Sequence, residues 1–191
     1  MSSSVKTTVY LIPCELAEEA IETIPAYVIE AVKKCQVIFA ENERSARRFL
    51  KRMDRAIIID KFEWFAIHKT EENQLEHFIQ KIKEEKNIAI ISEAGCPGIA
   101  DPGQLLVNTA QALKCNVKPM VGPSSILLAL MASGMNGQQF EFVGYLPIDN
   151  LERIKKIKEL ETASLKHNST KIFIETPYRN NQLLEALLKT C

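Results

Sequence analysis

The sequence predicts an α/β fold with a parallel sheet and flanking helices, on three observations. Apolar segments of strand length alternate with amphipathic segments of helix length from Thr8 onward, a pattern typical of βαβ units. Ile88–Ile91 is a continuous apolar run, as expected of a strand covered on both faces. A loop rich in glycine and proline follows this strand directly. Ligands bind at the carboxyl ends of strands in such sheets, so the loop is a predicted ligand site.

Strands and helices alternate regularly through the first part of the chain. The predicted elements are a strand at 8–13, a helix at 25–34, a strand at 36–40, a basic helix at 42–53, a strand at 56–60, a helix at 71–85, the strand at 88–91, a helix at 102–114 and a strand at 117–121. Pro25 suits a first helical turn, and Leu75, Phe78 and Ile82 mark the inner face of their helix. This order predicts a parallel sheet with right-handed crossovers.

A second domain is predicted to begin after the segment Gly122-Pro123-Ser124-Ser125. We therefore divide the chain into an N-terminal α/β domain at 1–121 and a partial C-terminal α/β domain at 122–191. The elements predicted in the second domain are a helix at 126–131, a strand at 140–143, a turn at 144–147, a helix at 150–161, a strand at 171–175 and a helix at 179–189. Two strands are too few for a self-contained sheet, so we expect the chain to be incomplete at Cys191.

Composition narrows the classes of function. The 24 basic residues balance the 24 acidic ones, so no global field draws the chain to nucleic acid or membrane. The five cysteines include no C-x-x-C pair and the three histidines lack metal spacing, so we expect neither a disulfide framework nor a metal site. No segment approaches the about 20 apolar residues that span a membrane, and we expect a cytoplasmic location.

The loop at 92–103, SEAGCPGIADPG, is the strongest functional signal in the chain. Gly95 and Gly98 permit positive φ or a close backbone approach to a ligand, whereas Pro97 and Pro102 fix the neighbouring dihedral angles. The loop is therefore predicted to be rigid. Further along, Ser124 or Ser125 is placed to cap the next helix, whose first amides suit an anionic group such as a carboxylate.

Four strings carry a resemblance to a known family: SEAGCPGIADPG at 92–103, VGPSS at 121–125, FEFVGYLP at 140–147 and FIETPYR at 173–179. Their order and spacing resemble those of the tetrapyrrole methylase superfamily of S-adenosylmethionine-dependent methyltransferases. Within it, the chain is most similar to the bacterial branch that methylates a ribose 2′-oxygen in small-subunit ribosomal RNA. The resemblance runs from about Val9 to Leu188.

The resemblance implies a two-domain enzyme, normally a homodimer, that binds S-adenosylmethionine between its domains, largely through backbone groups. The residues that it implies for donor binding are Ser92, Glu93, Ala94, Gly95, Cys96, Pro97, Ser124 and Ser125. Leu146, Glu175 and Thr176 would form further walls of the donor site. Methyl transfer from a sulfonium is an in-line displacement, so positioning and a dry cleft supply much of the acceleration. No metal or covalent nucleophile is required. In the family, strands later than those in these 191 residues help to close the adenine pocket. We therefore expect the 191-residue chain to bind the methyl donor weakly.

The methyl acceptor is less well defined. Glu41 and Arg44 match the first and last positions of the family's Glu-Asp-Thr-Arg signature, whereas Asn42 and Glu43 replace the two between. The first loop, at 13–22, is acidic and lacks the family's glycines. A ribose hydroxyl needs a general base or an oriented hydrogen bond, and Glu41 and Arg44 are the candidates for catalysis.

Basic residues on the helix at 42–53 suit an RNA backbone. Arg47 and Arg48 follow Arg44 by three and four residues, so the three side chains share one face of the helix. This face would meet phosphates or simply face solvent. Asp101 is a candidate substrate contact, or a turn former or helix cap. Ribosomal RNA or the small ribosomal subunit is the expected partner. Two alternatives stay open: methylation of a tetrapyrrole or other small molecule, and donor binding without catalysis.

Overall fold

The structure is a computed structural model that describes residues 7–67 and 71–191. His68, one of the three histidines that lack metal spacing, lies outside these ranges. The chain forms two compact units, the first ending at Ser124 and the second spanning Ser125–Cys191. Compactness alone does not define an independently folding domain, so the domain limits at 1–121 and 122–191 stay predictions.

Within the described ranges, the first unit is a five-stranded parallel sheet with helices on both faces. Its strand order is β3-β2-β4-β1-β5, and every neighbouring pair is parallel. Its elements are β1 (Thr8–Ile12), α1 (Tyr27–Val32), β2 (Val37–Ala40), α2 (Glu43–Met53), β3 (Glu63–Ala66), α3 (Leu75–Lys83), β4 (Ile88–Ile91), α4 (Gln104–Ala112) and β5 (Asn116–Pro119). The predicted α/β class and the parallel sheet are confirmed.

The core of this unit lies on the two faces of the sheet. Strands β2 and β4 are buried along their whole length, as the apolar run of β4 predicts. Alternate residues face opposite sides: Ile38 packs in one apolar cluster with Leu50 of α2, and Phe39 packs in the other with Phe78 of α3. Because both faces are covered, the ends of the strands are where the sheet offers polar groups to a ligand.

The predicted third strand at 56–60 is wrong. The strand β3 lies at Glu63–Ala66, and a 3-10 turn occupies Ile59–Lys61. The apolar run that suggested a strand is only partly covered, since Ile57 is buried but Ile58 is 52% exposed. The segment that pairs with β2 instead contains Phe65, whose ring stacks on Phe39 with centroids 4.8 Å apart.

The fully described second unit contains α5 (Ser125–Ser133), β6 (Phe140–Tyr145), α6 (Asn150–His167), β7 (Thr170–Ile174) and α7 (Asn180–Thr190). Strands β6 and β7 pair in parallel. The predicted turn at 144–147 is wrong in its first half, because Gly144 lies within β6 at φ +71°, beside a shift in the strand register. Helix α6 also runs past its predicted end at 161, and stops where Asn168 adopts a left-handed conformation.

Candidate functional site

Three chain segments meet where β4, β1 and β5 end side by side. The backbone N–H of Cys14 donates to the carbonyl of Gly95 over 2.8 Å, and the N–H of Gly95 donates back to Cys14 over 3.0 Å. A Cβ added to Gly122 would lie 2.2 Å from Cβ of Pro13, so only glycine fits at this position. These contacts fix the loop after β4 against the segments that follow β1 and β5.

The loop at 92–103 contains four residues in the left-handed region of φ. Gly95 and Gly98 have φ +68° and +77°, the positive values that the sequence analysis anticipates, and Gly103 has φ +124°. Ala100 adopts φ +62°, which is uncommon for a residue with a Cβ and stores strain of the kind that clusters at ligand sites. The buried Ser92 side chain stabilises the first turn, because its hydroxyl donates to the carbonyl of Ala94 over 3.3 Å.

Cys96 faces the segment after β5 as a neutral thiol. Its Sγ donates to the carbonyl of Pro123 over 3.5 Å. Burial raises the pKa of this thiol, and burial also raises the pKa of Cys14 to about 12. A thiol with a raised pKa is a poor nucleophile, which argues against covalent catalysis by Cys96.

Carboxylates gather at the carboxyl ends of β2 and β4. The Glu93 N–H donates to Oε2 of Glu41 over 3.0 Å, so the Glu41 side chain holds the start of the β4 loop. The pKa of Asp101 is raised to about 6, first by burial and then by repulsion from Glu41 and Glu93. The structure thus brings Glu41, predicted for catalysis, against the start of the loop that also carries Asp101, predicted for substrate binding.

The end of the β4 loop is held by a residue that the sequence analysis did not single out. Glu71 accepts hydrogen bonds from the backbone N–H groups of Gly103, Leu105 and Leu106, the latter two over 2.9 and 3.4 Å. Its carboxylate therefore caps the first turn of α4, a role for which Asp101 was one candidate. The capping residue is remote in sequence, so no local pattern points to it.

The arginines of α2 have separate environments. Arg44 and Arg48 are exposed, with no hydrogen bond or ion pair to any residue in the described ranges. The Arg47 guanidinium instead lies 4.6 Å from the centre of the Trp64 ring and pairs with Glu43. The helix starts where the Asn42 side chain accepts a hydrogen bond from the Ser45 N–H, so the departure at Asn42 supplies an N-cap.

A cavity of about 410 Å³ opens between the segment after β1, helix α2 and the start of the β4 loop. Arg48 lies on its wall, as do Ser92 and Glu93 of the loop. Arg52 forms an ion pair with Glu15 across one side of it. The only sequence signal for this pairing is that an acidic loop at 13–22 precedes a basic helix, which does not specify the partners.

The remaining predicted donor residues lie at or beyond the end of the first unit. Ser124 is half-buried, and Ser125 is the exposed first residue of α5. Leu146 is buried in the core of the second unit, so its side chain is already packed. Burial would raise the pKa of Glu175, but hydrogen bonds from the Thr176 N–H and from Arg179 outweigh it and lower that pKa.

Among residues 7–67 and 71–191, no group of three or more His, Cys, Asp and Glu side chains is arranged to hold a metal ion. In the same ranges, no helix has the length and apolar character needed to cross a bilayer. All five cysteines are free thiols.

Comparisons with known proteins identify the family of this chain. The family of tetrapyrrole (corrin/porphyrin) methylases matches residues 20–190. A protein of Halalkalibacterium halodurans named ribosomal RNA small subunit methyltransferase I is 30% identical over 183 residues, which cover 96% of this chain and 60% of that protein. The protein of the same name from Bacillus subtilis is 32% identical over 181 residues, 93% of this chain and 58% of its own.

A third relative with this name, from Escherichia coli O157:H7, is 30% identical over 180 residues, covering 94% of this chain and 59% of its own length. The chain therefore spans about three fifths of the length of these curated relatives. The family match extends over most of the chain, and it includes the β4 loop and the segment after β5 that the structure packs together. The chain belongs to the tetrapyrrole (corrin/porphyrin) methylase family.

Proposed function

We propose that this chain is an S-adenosylmethionine-dependent methyltransferase that acts on a ribose 2′-oxygen of small-subunit ribosomal RNA. The observation that carries the proposal is the packing of the β4 loop, which is locked to Cys14 by two backbone hydrogen bonds and lies against a glycine-only contact between Gly122 and Pro13. Such a loop at the carboxyl ends of parallel strands is suited to holding a small molecule. The names of the relatives supply methyl transfer and small-subunit ribosomal RNA, and the ribose 2′-oxygen comes from the family resemblance.

The residues of the loop fit the proposed donor. Glu93 and Ala94 are exposed, whereas Gly95 is buried against Cys14. The carboxylates of Glu41, Glu93 and Asp101 give this edge of the sheet a negative potential, which favours a cationic ligand. When bound, S-adenosylmethionine supplies an electrophilic methyl group on a positively charged sulfur. The loop then contributes by orientation, because a fixed backbone positions the methyl group for an in-line approach.

We assign Asp101 as the general base, which takes the proton of the acceptor's 2′-hydroxyl. A carboxyl whose pKa is about 6 is ionised at neutral pH and is a stronger base than an ordinary aspartate. Glu41 already accepts a hydrogen bond from the Glu93 N–H, and we assign it the positioning of the loop. Arg44 and Arg48 would meet RNA phosphates, while Arg47 stays on Trp64.

The donor site is tested by calorimetric titration with S-adenosylhomocysteine, the demethylated product. Ala94→Leu places a bulky side chain on the exposed part of the loop and is expected to weaken binding at least about tenfold, or about 1.4 kcal/mol. Ala112→Leu at the exposed end of α4 is the matched control and should bind like the unchanged chain. Equal affinity in both variants would place the donor elsewhere, and no binding by any of them would reject the cofactor.

Methylation of a small molecule is the second candidate function, and the cavity beside α2 favours it. Its walls carry more carboxylates than arginines, an arrangement that does not attract a phosphate backbone into the interior. The two functions differ in their response to salt. Binding of an RNA substrate weakens steeply as salt rises because phosphate contacts release counterions, whereas binding of an uncharged small acceptor changes little.

The residues from the second unit enter the proposal only through the family resemblance. The predicted donor contacts in this unit are Ser125, Leu146, Glu175 and Thr176. The assembly of two copies into a homodimer is likewise a prediction from the resemblance. Leu146 would contribute its backbone, since its side chain is packed in the core of that unit.

A further inference from the structure

The cavity of about 410 Å³ beside the β4 loop contains a buried carboxylate oxygen with no partner. Glu15 lines this cavity and is only 9% exposed. Its Oε1 pairs with Arg52, whereas its Oε2 has no hydrogen-bond partner among the described residues. Buried polar atoms are almost always hydrogen-bonded in folded proteins, because an unpaired one costs about 1–3 kcal/mol. Glu15 Oε2 is therefore available to accept a hydrogen bond from a group outside the chain.

Charge on the cavity wall indicates what kind of hydrogen-bond donor suits Glu15 Oε2. Four carboxylates against two guanidinium groups leave the wall net negative: Glu15, Glu18, Glu19 and Glu93 against Arg48 and Arg52. Arg52 is largely compensated, because it contacts both the Glu15 carboxylate and the carbonyl of Glu18. A net negative wall disfavours a phosphate and favours a group with full or partial positive charge.

We propose that this cavity is a subsite that binds the amino group of a ligand, with Glu15 Oε2 as the acceptor of its N–H. The volume falls in the range of about 300–1,000 Å³ typical of small-molecule sites, so it admits a group as large as a nucleoside. The proposal deepens the proposed function and rests on it for the nature of the ligand. Both reactants of a nucleic-acid methyltransferase carry amino groups: the ammonium of the methyl donor and the exocyclic amine of a nucleobase.

Ligand-detected NMR with matched probes tests this subsite and separates the two sources. Adenosine and cytidine carry an exocyclic amine, whereas inosine and uridine have the same shape with a carbonyl in its place. S-adenosylhomocysteine is compared with its analogue that lacks the α-amino group. We expect at least one amine-bearing probe to bind about tenfold more tightly than its partner, as one charge-assisted hydrogen bond predicts. A preference within the nucleoside pairs assigns the cavity to the acceptor, and a preference within the other pair assigns it to the donor.

Glu15→Gln should reduce that preference, since the amide oxygen that replaces the carboxylate still accepts a hydrogen bond but carries no negative charge. Glu22→Gln, an exposed glutamate that does not line the cavity, is the matched control and should keep it. The comparison of probes on the unchanged chain stands even if Glu15→Gln fails to fold.

Equal binding of every matched pair, no binding of any probe, or a preference that is undiminished in Glu15→Gln would each overturn the proposal. Methyl transfer without an amine preference would refute this subsite and leave the proposed function intact. An amine preference without methyl transfer would support this subsite and refute the proposed function.

Discussion

Gly122 provides a direct test of how tightly the predicted donor loop is held. A Cβ at this position would lie 2.2 Å from Cβ and 2.4 Å from Cγ of Pro13. Carbon atoms in contact normally stand about 3.5–4.0 Å apart, so the two segments must separate by more than about 1 Å. The rigid proline ring at the end of β1 has no rotamer with which to yield. We therefore expect Gly122→Ala to cost about 2–3 kcal/mol, at the upper end of the range for overpacking.

Urea unfolding measures this cost, and with a slope near 2 kcal/mol per molar the midpoint should fall by about 1 M. Affinity for S-adenosylhomocysteine should fall as well, because the Pro123 carbonyl that contacts Cys96 moves with residue 122. Gly137→Ala is the matched control: nothing lies within 4 Å of its added Cβ, and we expect a change below about 0.5 kcal/mol. Equal stability of Gly122→Ala and the unchanged chain would refute the packing of the strand-end segments.

Three further predictions concern side chains of the site. Asp101 has a folded-state pKa of about 6 against 3.8 for the free side chain, so the folded state binds a proton more tightly and stability falls as pH rises from about 4 to about 6. After allowance for the partial exposure of Asp101, this loss of stability amounts to about 1 kcal/mol. Asp101→Asn should abolish this pH dependence in denaturation curves, together with the matching limb of the pH–rate profile. A pH dependence that persists in the variant would assign it to another group. Glu71→Ala leaves three N–H groups at the start of α4, those of Gly103, Leu105 and Leu106, without their acceptor and should cost about 1–2 kcal/mol, while Glu72→Ala costs nothing measurable by the same unfolding assay; equal losses would refute the cap. Arg48→Ala should weaken RNA binding and reduce the salt slope by about 1, whereas Lys83→Ala on α3 should leave both unchanged; an unaltered slope for Arg48→Ala would remove it from the RNA site.

Elements with a strong local pattern were predictable from the sequence. Strand β4 and its loop follow from the run at Ile88–Ile91 and from glycines whose positive φ is observed. The start of α2 follows from Asn42, a good N-cap residue. The third strand was mispredicted because hydrophobicity alone does not distinguish the half-exposed Ile58 from Phe65, which stacks on Phe39 across the sheet.

The contacts that shape the site were not predictable, because they join residues that are distant along the chain. The Glu71 cap on α4 and the Glu15–Arg52 pair each use an ordinary surface residue type, and only the packing of the sheet brings the partners together. Burial in the folded loop is the main cause of the raised pKa of Asp101, and the repulsion that adds to it comes from Glu41 and Glu93 at the ends of adjacent strands. Sequence reasoning identified the loop but not the residues that hold it.

The most direct test of the proposed function is transfer of a labelled methyl group from S-adenosylmethionine to small ribosomal subunits that lack the modification, at saturating donor, with the labelled nucleotide mapped. We expect time-dependent incorporation at a single ribose 2′-oxygen of the small-subunit RNA, reduced in Asp101→Asn and in Gly122→Ala. A chain that binds S-adenosylhomocysteine but transfers no label to this RNA would contradict the assignment of the acceptor.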